Sequence, residues 1–420
     1  MLRLHTKIFR ANGLLRSHFT RNFLYPRPLI SLRSYSLLKI RPLEQTAETF
    51  ANSVRPSIRN QVLFFLFGSS SILLYSAWAT NIETAIVLEK LKTQSSVWQV
   101  QSIANVDLRR FQQMELVKNL RSTYKYLNTQ AAEIPQLIRP YLNAAYVALL
   151  QPYADASEGR RLCWKICLLN TGVWLMWQFQ RLQPMMNRAF VHQPLSGLTY
   201  TMLSSIFSHS SLLYLAFNCL ALEGFGFTLI VLKGSAATTY LRQAQDKNAP
   251  GQLESTSSYH FLSFYISAGV FASLASHIAN ARIRYPKLIA QLSSPASRPP
   301  ATETWASAVA AVSSATAKSA TAAPAAAVTI PGSLGASGAV YACVTLVALA
   351  YPESQVSLIF PPVTPIGIQT AAMGILTLDM IGIYRGWRIM DHWAHLGGAA
   401  FGALYYYYGP YIWSQTRAAL

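Results

Sequence analysis

Ser337 stands in Gly335-Ala336-Ser337-Gly338 at the start of an apolar stretch running to Ala350, and His395 stands in Ala394-His395-Leu396-Gly397-Gly398 inside another. A hydroxyl and an imidazole in segments this apolar are costly to bury unless each finds a partner. Paired with each other they can perform acyl transfer: a serine is a weak nucleophile at its own pKa, and a histidine within hydrogen-bond reach takes its proton as it attacks a carbonyl. Each residue alone has a plainer reading. Gly-x-Ser-Gly is also what membrane helices use to pack closely, and a lone histidine also serves as a structural bond to a neighbouring helix. Gly398 and Gly402 form a Gly-x-x-x-Gly pair one turn below His395. That pair lets this helix approach another, and the helix beginning at Ser337 is its expected partner.

Other chemistries fit less well. His392 shares a helical face with His395, but the sequence holds no His-Glu-x-x-His, so an intramembrane metalloprotease is not expected. Asp379 and Asp391 could supply two carboxylates. They lack the Gly-rich surroundings of aspartyl intramembrane proteases, and Asp391 falls at a helix start, where it caps. Cys163, Cys167, Cys219 and Cys343 all lie in apolar stretches and read as small buried hydrophobes, without a disulfide framework or a metal set. No cofactor, metal or nucleic-acid partner is implied.

The elements that must position these residues are membrane helices. The chain has 420 residues, of which 52% are hydrophobic and 12% charged, well below the charge content of soluble domains. Seven windows are long and apolar enough to cross a bilayer: residues 61–80, 162–179, a third from about 204 toward 232, then 259–279, 332–351, 356–383 and 391–411. Residues 81–160 hold seven of the sixteen acids, with helix-like apolar spacing at Ile86, Leu88 and Leu91, and read as amphipathic helices on the bundle or at the surface. The 233–258 insert is polar, with a turn signal at 248–251, and the 293–328 Ala/Ser/Thr/Pro tract reads as a flexible loop.

Residues 1–43 carry seven Arg, two Lys and no acid, with interspersed leucines and serines but no continuous apolar run. That composition suits a mitochondrial presequence; the alternative is a basic arm for anionic lipid or nucleic acid. Net charge is +19. The loops after the second, fourth and sixth windows are basic, which places them on the side of the N-terminus, the matrix side of an inner mitochondrial membrane. Arg160, Arg161 and Lys165 at the other end of the second window argue against that orientation.

Taken together, Gly-Ala-Ser337-Gly, Tyr341 four residues on, Ala-His395-x-x-Gly398 on a later span, and Phe207-Ser208-His209 with Phe217-Asn218 on an earlier one resemble the rhomboid family of intramembrane serine proteases. Asp379, Asp391-His392-Trp393-Ala394-His395 and the additional N-terminal span are similar to its mitochondrial inner-membrane, presenilin-associated rhomboid-like branch. The resemblance implies an all-α polytopic bundle with a six-helix core and one extra N-terminal transmembrane helix. It divides the chain into presequence (1–43), extra-helix region (44–80), polar helical segment (81–160), core (161–411) and tail (412–420). It implies Ser337 as nucleophile and His395 as general base, a dyad with no acidic third member. Asn218 and the Ser337 N–H would bind the oxyanion, Tyr341 would lie against the His395 ring, and Gly335 and Gly338 would admit substrate. Tyr214 stands where many members carry a second oxyanion-side histidine, so its part is either hydrogen bonding or aromatic packing. His209 reads as a brace for the loop before its helix. The implied substrates are single-span membrane proteins cut in or near their transmembrane segments, with spans three and six as walls of an entry gate; the alternative is a proteolytically inactive relative that binds membrane clients.

Overall fold

The computed structural model describes residues 55–94, 103–131, 135–224, 236–292, 330–356 and 364–420. The 1–43 presequence and the 293–328 loop expected from the sequence lie outside the described residues. The described chain is helical apart from one two-stranded pairing, so the all-α expectation holds.

The first helix, α1 (Ile58–Gln94), is longer than the window that suggested it. No Gly or Pro follows Ala79 to stop it, and the residues beyond are good helix formers. Its second half is amphipathic: Val87 and Leu91 pack with Ile103 and with Leu108 and Phe111 of α2 (Asn105–Gln130). Helix α3 (Arg139–Asp155) folds back on α2, with Tyr146 donating to the Leu120 carbonyl at 2.9 Å. The described parts of the polar 81–160 segment are thus largely helical, and the first of them continues α1.

Helix α4 (Glu158–Gln178) starts at Ser157, whose hydroxyl accepts from the Arg160 N–H. Helix α5 (Gln183–Ala189) and an irregular stretch lead to the short α6 (Thr201–Ser204), its 3₁₀ turn at Ser205–Phe207, and α7 (Leu212–Gly224). The third window is therefore broken, with an 89° bend between its two parts. The polar insert also holds a helix, α8 (Ala236–Asn248), which buries Ala237 and Leu241 and ends before Gly251 at φ +97°.

At the centre of the bundle lies α9 (Ser258–Ala279), buried on nearly all sides and extended through a π turn (Asn280–Arg284) into α10 (Tyr285–Leu292). Around it pack α11 (Ser337–Ala350), α1 and α13 (His392–Ala419), with α12 (Ile368–Arg385) laid on α11 and α13. Small residues set the spacing. A methyl on Gly338 would strike Ala272 of α9, one on Gly398 would strike the Gly338 carbonyl, and one on Gly402 the Ala342 carbonyl. This is the close approach expected from Gly-x-x-x-Gly. The sixth window begins its helix late, because Pro365 cannot donate within a helix and a short β pairing, β1 (Gln355–Val356) with β2 (Ile366–Gly367), intervenes. Helix α12 stops at Gly386 (φ +71°), where the Trp387 N–H reaches back to the Gly382 carbonyl at 2.8 Å.

Every expected window holds a helix. On length and apolarity alone, 58–93 and 258–291 suffice to cross a membrane, and the bent pair 201–207 with 212–223 makes a third if counted as one span. Helix α11 is apolar but has 14 residues, about 21 Å of rise, short of a hydrocarbon core.

Candidate active site

Ser337 is the first residue of α11, so its side chain sits where several backbone N–H groups lack intrahelical partners and the helix dipole is positive. The loop before it is fastened at three points. His192 and Ser333 exchange two backbone hydrogen bonds of 2.9 Å, the Gly335 N–H donates to the Ser205 carbonyl at 2.9 Å, and the Ala336 N–H donates to His209 Nε2 at 3.4 Å. His209 thus braces the loop before Ser337, rather than merely the start of its own helix. Gly335 has φ +121°, and a methyl there would collide with the Tyr214 phenol, so glycine is required twice over. His192 in turn bonds Thr201 Oγ1 at 2.8 Å and His277 Nδ1 at 3.0 Å, and burial beside His277 pushes its pKa down to about 3.

His395 lies one turn into α13. That helix is capped by Asp391, which accepts from the Ala394 N–H at 3.2 Å and from Ser276 Oγ at 2.5 Å, so the capping expectation holds. The two side chains meet: His395 Nε2 is 2.9 Å from Ser337 Oγ. Tyr341, one turn along α11, stacks on the His395 ring with centroids 4.2 Å apart and planes within 13°. It lies where the resemblance put it.

The structure departs from an acid-free dyad. Asp379 of α12 is buried and places Oδ1 3.1 Å from His395 Nδ1 and 2.5 Å from His392 Nδ1. The network assigns the proton of His395 to Nδ1, donated to the carboxylate, and leaves Nε2 as the acceptor facing Ser337. Serine, histidine and aspartate therefore stand in hydrogen-bonded sequence, the arrangement that lets a carboxylate hold an imidazole in the base-competent tautomer. The signal for Asp379 was present in the sequence, since a carboxylate inside an apolar helix needs a partner. Its distance of 16 residues from His395 hid which one.

The oxyanion side also differs from expectation in its hydrogen bonds. The Tyr214 hydroxyl is 3.1 Å from Ser337 Oγ and 3.3 Å from the Leu334 carbonyl. Asn218 is buried one turn later on α7, and its Nδ2 donates to the Tyr214 backbone carbonyl at 2.9 Å. The side-chain hydroxyl beside Ser337 is the tyrosine's, while one of the two Asn218 amide N–H groups is engaged within its own helix. Gly338 serves to bring α9, α11 and α13 together. Behind Ser337 lies a small cavity of about 10 Å³, room for roughly one water, bordered by Ser205, Ser273, Gly335 and Asp391.

Residues 302–411 match the Rhomboid domain, a stretch containing Ser337, Asp379 and His395. The chain is 27% identical over 266 residues to the Homo sapiens presenilin-associated rhomboid-like protein, mitochondrial, covering 63% of this chain and 52% of that protein. It is 28% identical over 264 residues to the Mus musculus protein of the same name, covering 62% and 52%. Rhomboid protein 1, mitochondrial, of Saccharomyces cerevisiae is 24% identical over 241 residues, covering 56% and 49%. The matched region thus spans about half the length of these curated relatives. No solved structure matches the chain. The chain is thus a helical bundle that carries a Rhomboid domain over residues 302–411, with Ser337 and His395 in contact inside it, and it is similar to mitochondrial rhomboid-like proteins.

Proposed function

We propose that this protein is an intramembrane serine endopeptidase that cuts single-span membrane proteins in or near their transmembrane segments. The observation that carries the reading is the half-buried 2.9 Å contact between Ser337 Oγ and His395 Nε2, backed by Asp379. In this mechanism His395 takes the Ser337 proton as Oγ attacks the scissile carbonyl, and the resulting imidazolium lies beside the Asp379 carboxylate. The oxyanion develops at the N-terminus of α11, within reach of the Ser337 N–H and the Tyr214 hydroxyl. His395 then returns its proton to the leaving amine, and a water activated by the same imidazole hydrolyses the acyl-enzyme. A helical substrate must unwind locally to present its carbonyl, which favours Gly or Ser near the cut. Helices α7 and α12 turn exposed apolar side chains outward, Leu213 and Phe217 on one, Met373 and Met380 on the other. They are the walls between which a substrate helix would enter.

The mitochondrial inner membrane is the proposed location, supported by relatives named mitochondrial and by the basic, acid-free composition of residues 1–43. The domain division read from the sequence is retained in this proposal, with α1 continuing past residue 80 into the polar segment. The test is labelling of the full chain in lipid nanodiscs by a fluorophosphonate probe. Wild type should label, Ser337→Ala should not, and His395→Ala should label at least 100-fold more slowly. Absence of wild-type labelling in protein that is folded and inserted would instead favour an inactive client-binding role.

A further inference from the structure

We propose that Asp379, His392 and His395 form an inhibitory site for a divalent zinc-type cation. Its inhibitory effect rests on the protease reading above; the binding itself does not. The three side chains come from α12 and the first turn of α13, and each can bring a ligand atom within 4.8 Å of the other two. Their side chains are only 2–6% exposed. Asp379 Oδ1 already stands 2.5 Å from one imidazole Nδ1 and 3.1 Å from the other, so the donors converge and need part by only about 1 Å to admit an ion.

Two imidazoles and a carboxylate are a three-ligand set of the kind zinc takes, with bonds of about 2.0–2.2 Å and a fourth position left for water. The cluster carries a sign that it is incomplete: Asp379 Oδ2 is buried without a hydrogen-bond partner, as is His392 Nε2, which turns toward Gly382. Any side chain on that glycine would collide with the His392 ring. The cluster lies close to the surface in sequence, His392 standing two residues beyond the exposed stretch 384–390.

The consequence follows from tautomer chemistry. A metal bonded to His395 Nδ1 takes the site of that nitrogen's proton, so the neutral ring carries its proton on Nε2. Nε2 then faces Ser337 Oγ as a donor and cannot accept the serine proton. The same carboxylate that orients the base would thus, with His392, allow a metal to capture it.

The experiment uses the full chain in nanodiscs. Zn²⁺ binding by equilibrium dialysis is compared in Ser337→Ala, which retains all three ligands, and in Ser337→Ala/His392→Ala. One zinc per chain is expected in the first, with affinity at least tenfold weaker in the second. In parallel, fluorophosphonate labelling of wild type should fall with added Zn²⁺ and return with EDTA. His392→Ala, referred to its own metal-free rate, should require at least tenfold more Zn²⁺. Equal affinity in the two Ser337→Ala backgrounds, or no stoichiometric binding, overturns the proposal. Wild-type labelling that is absent even in EDTA counts against the protease reading alone, and the dialysis still decides the metal site.

Discussion

Gly398→Ala gives the sharpest test of how the bundle sets the chemistry. The added methyl would fall inside the van der Waals envelope of the Gly338 carbonyl, a backbone atom that has no rotamer by which to escape. Relief requires α11 and α13 to part by roughly 1 Å or more, and overpacking of this kind costs about 1–3 kcal/mol of stability. Gly338 is the neighbour of Ser337, and Gly398 lies three residues from His395. The same parting stretches their 2.9 Å contact toward roughly 4 Å, beyond hydrogen-bond reach. A misplacement of about 1 Å costs on the order of 100-fold in rate, or about 2.7 kcal/mol of barrier. Fluorophosphonate labelling of Ser337 in nanodiscs should therefore slow about 100-fold, while thermal unfolding shows the protein still folded. Gly374→Ala is the control: nothing lies within 4 Å of its added methyl, and it should label at the wild-type rate. Wild-type labelling by Gly398→Ala, or an equal loss in Gly374→Ala, would refute the argument that helix spacing fixes the Ser337 to His395 contact.

Asp379→Asn removes the charge that faces His395 while keeping the side-chain shape. Labelling and cleavage should fall by about 100- to 10,000-fold, with little change in expression. Tyr214→Phe deletes the hydroxyl 3.1 Å from Ser337 Oγ, and cleavage of a membrane substrate should drop about 100-fold. Asn218→Ala should lower activity less than Tyr214→Phe does; the reverse order would make the amide the main side-chain donor. His192 should give a pH signature. Its folded pKa, about 3, lies below the unfolded value of about 6.5, so its neutral form contributes stability that is complete above pH 6.5 and is lost as pH falls toward 3. Between pH 6.5 and 4 the melting temperature of wild type should therefore fall more steeply than that of His192→Gln.

Much of the site was legible because side-chain chemistry was out of place in its surroundings. Ser337 and His395 stood out as polar groups in apolar segments, and Gly398 and Gly402 announced which helices meet. What stayed hidden depends on how a helix is rotated rather than on what it contains. Asp379 was visible as a buried carboxylate, but only the docking of α12 turns it onto both imidazoles. Tyr214 and Asn218 lie one turn apart on α7, and sequence alone does not say which reaches Ser337 and which turns an N–H to the backbone. Element ends followed local chemistry. α1 ran past residue 80 for want of a breaker, and α12 started late because of Pro365. The break before α7 and the helix inside the polar insert were decided by tertiary contacts that no short window contains.

The far end of α13 is fastened as firmly as its start. Arg417 is 3% exposed and holds Asn81 of α1 at 2.9 Å, the Leu253 carbonyl at 2.7 Å and Glu254 at 3.3 Å. The rod that carries His395 is moored by Asp391 at one extremity and by a junction with the first helix at the other. A shortened protein beginning after α1 would leave that second mooring without its Asn81 post. Activity lost by such a fragment would report slack in the base-bearing helix, and should not be taken to mean that α1 touches the substrate.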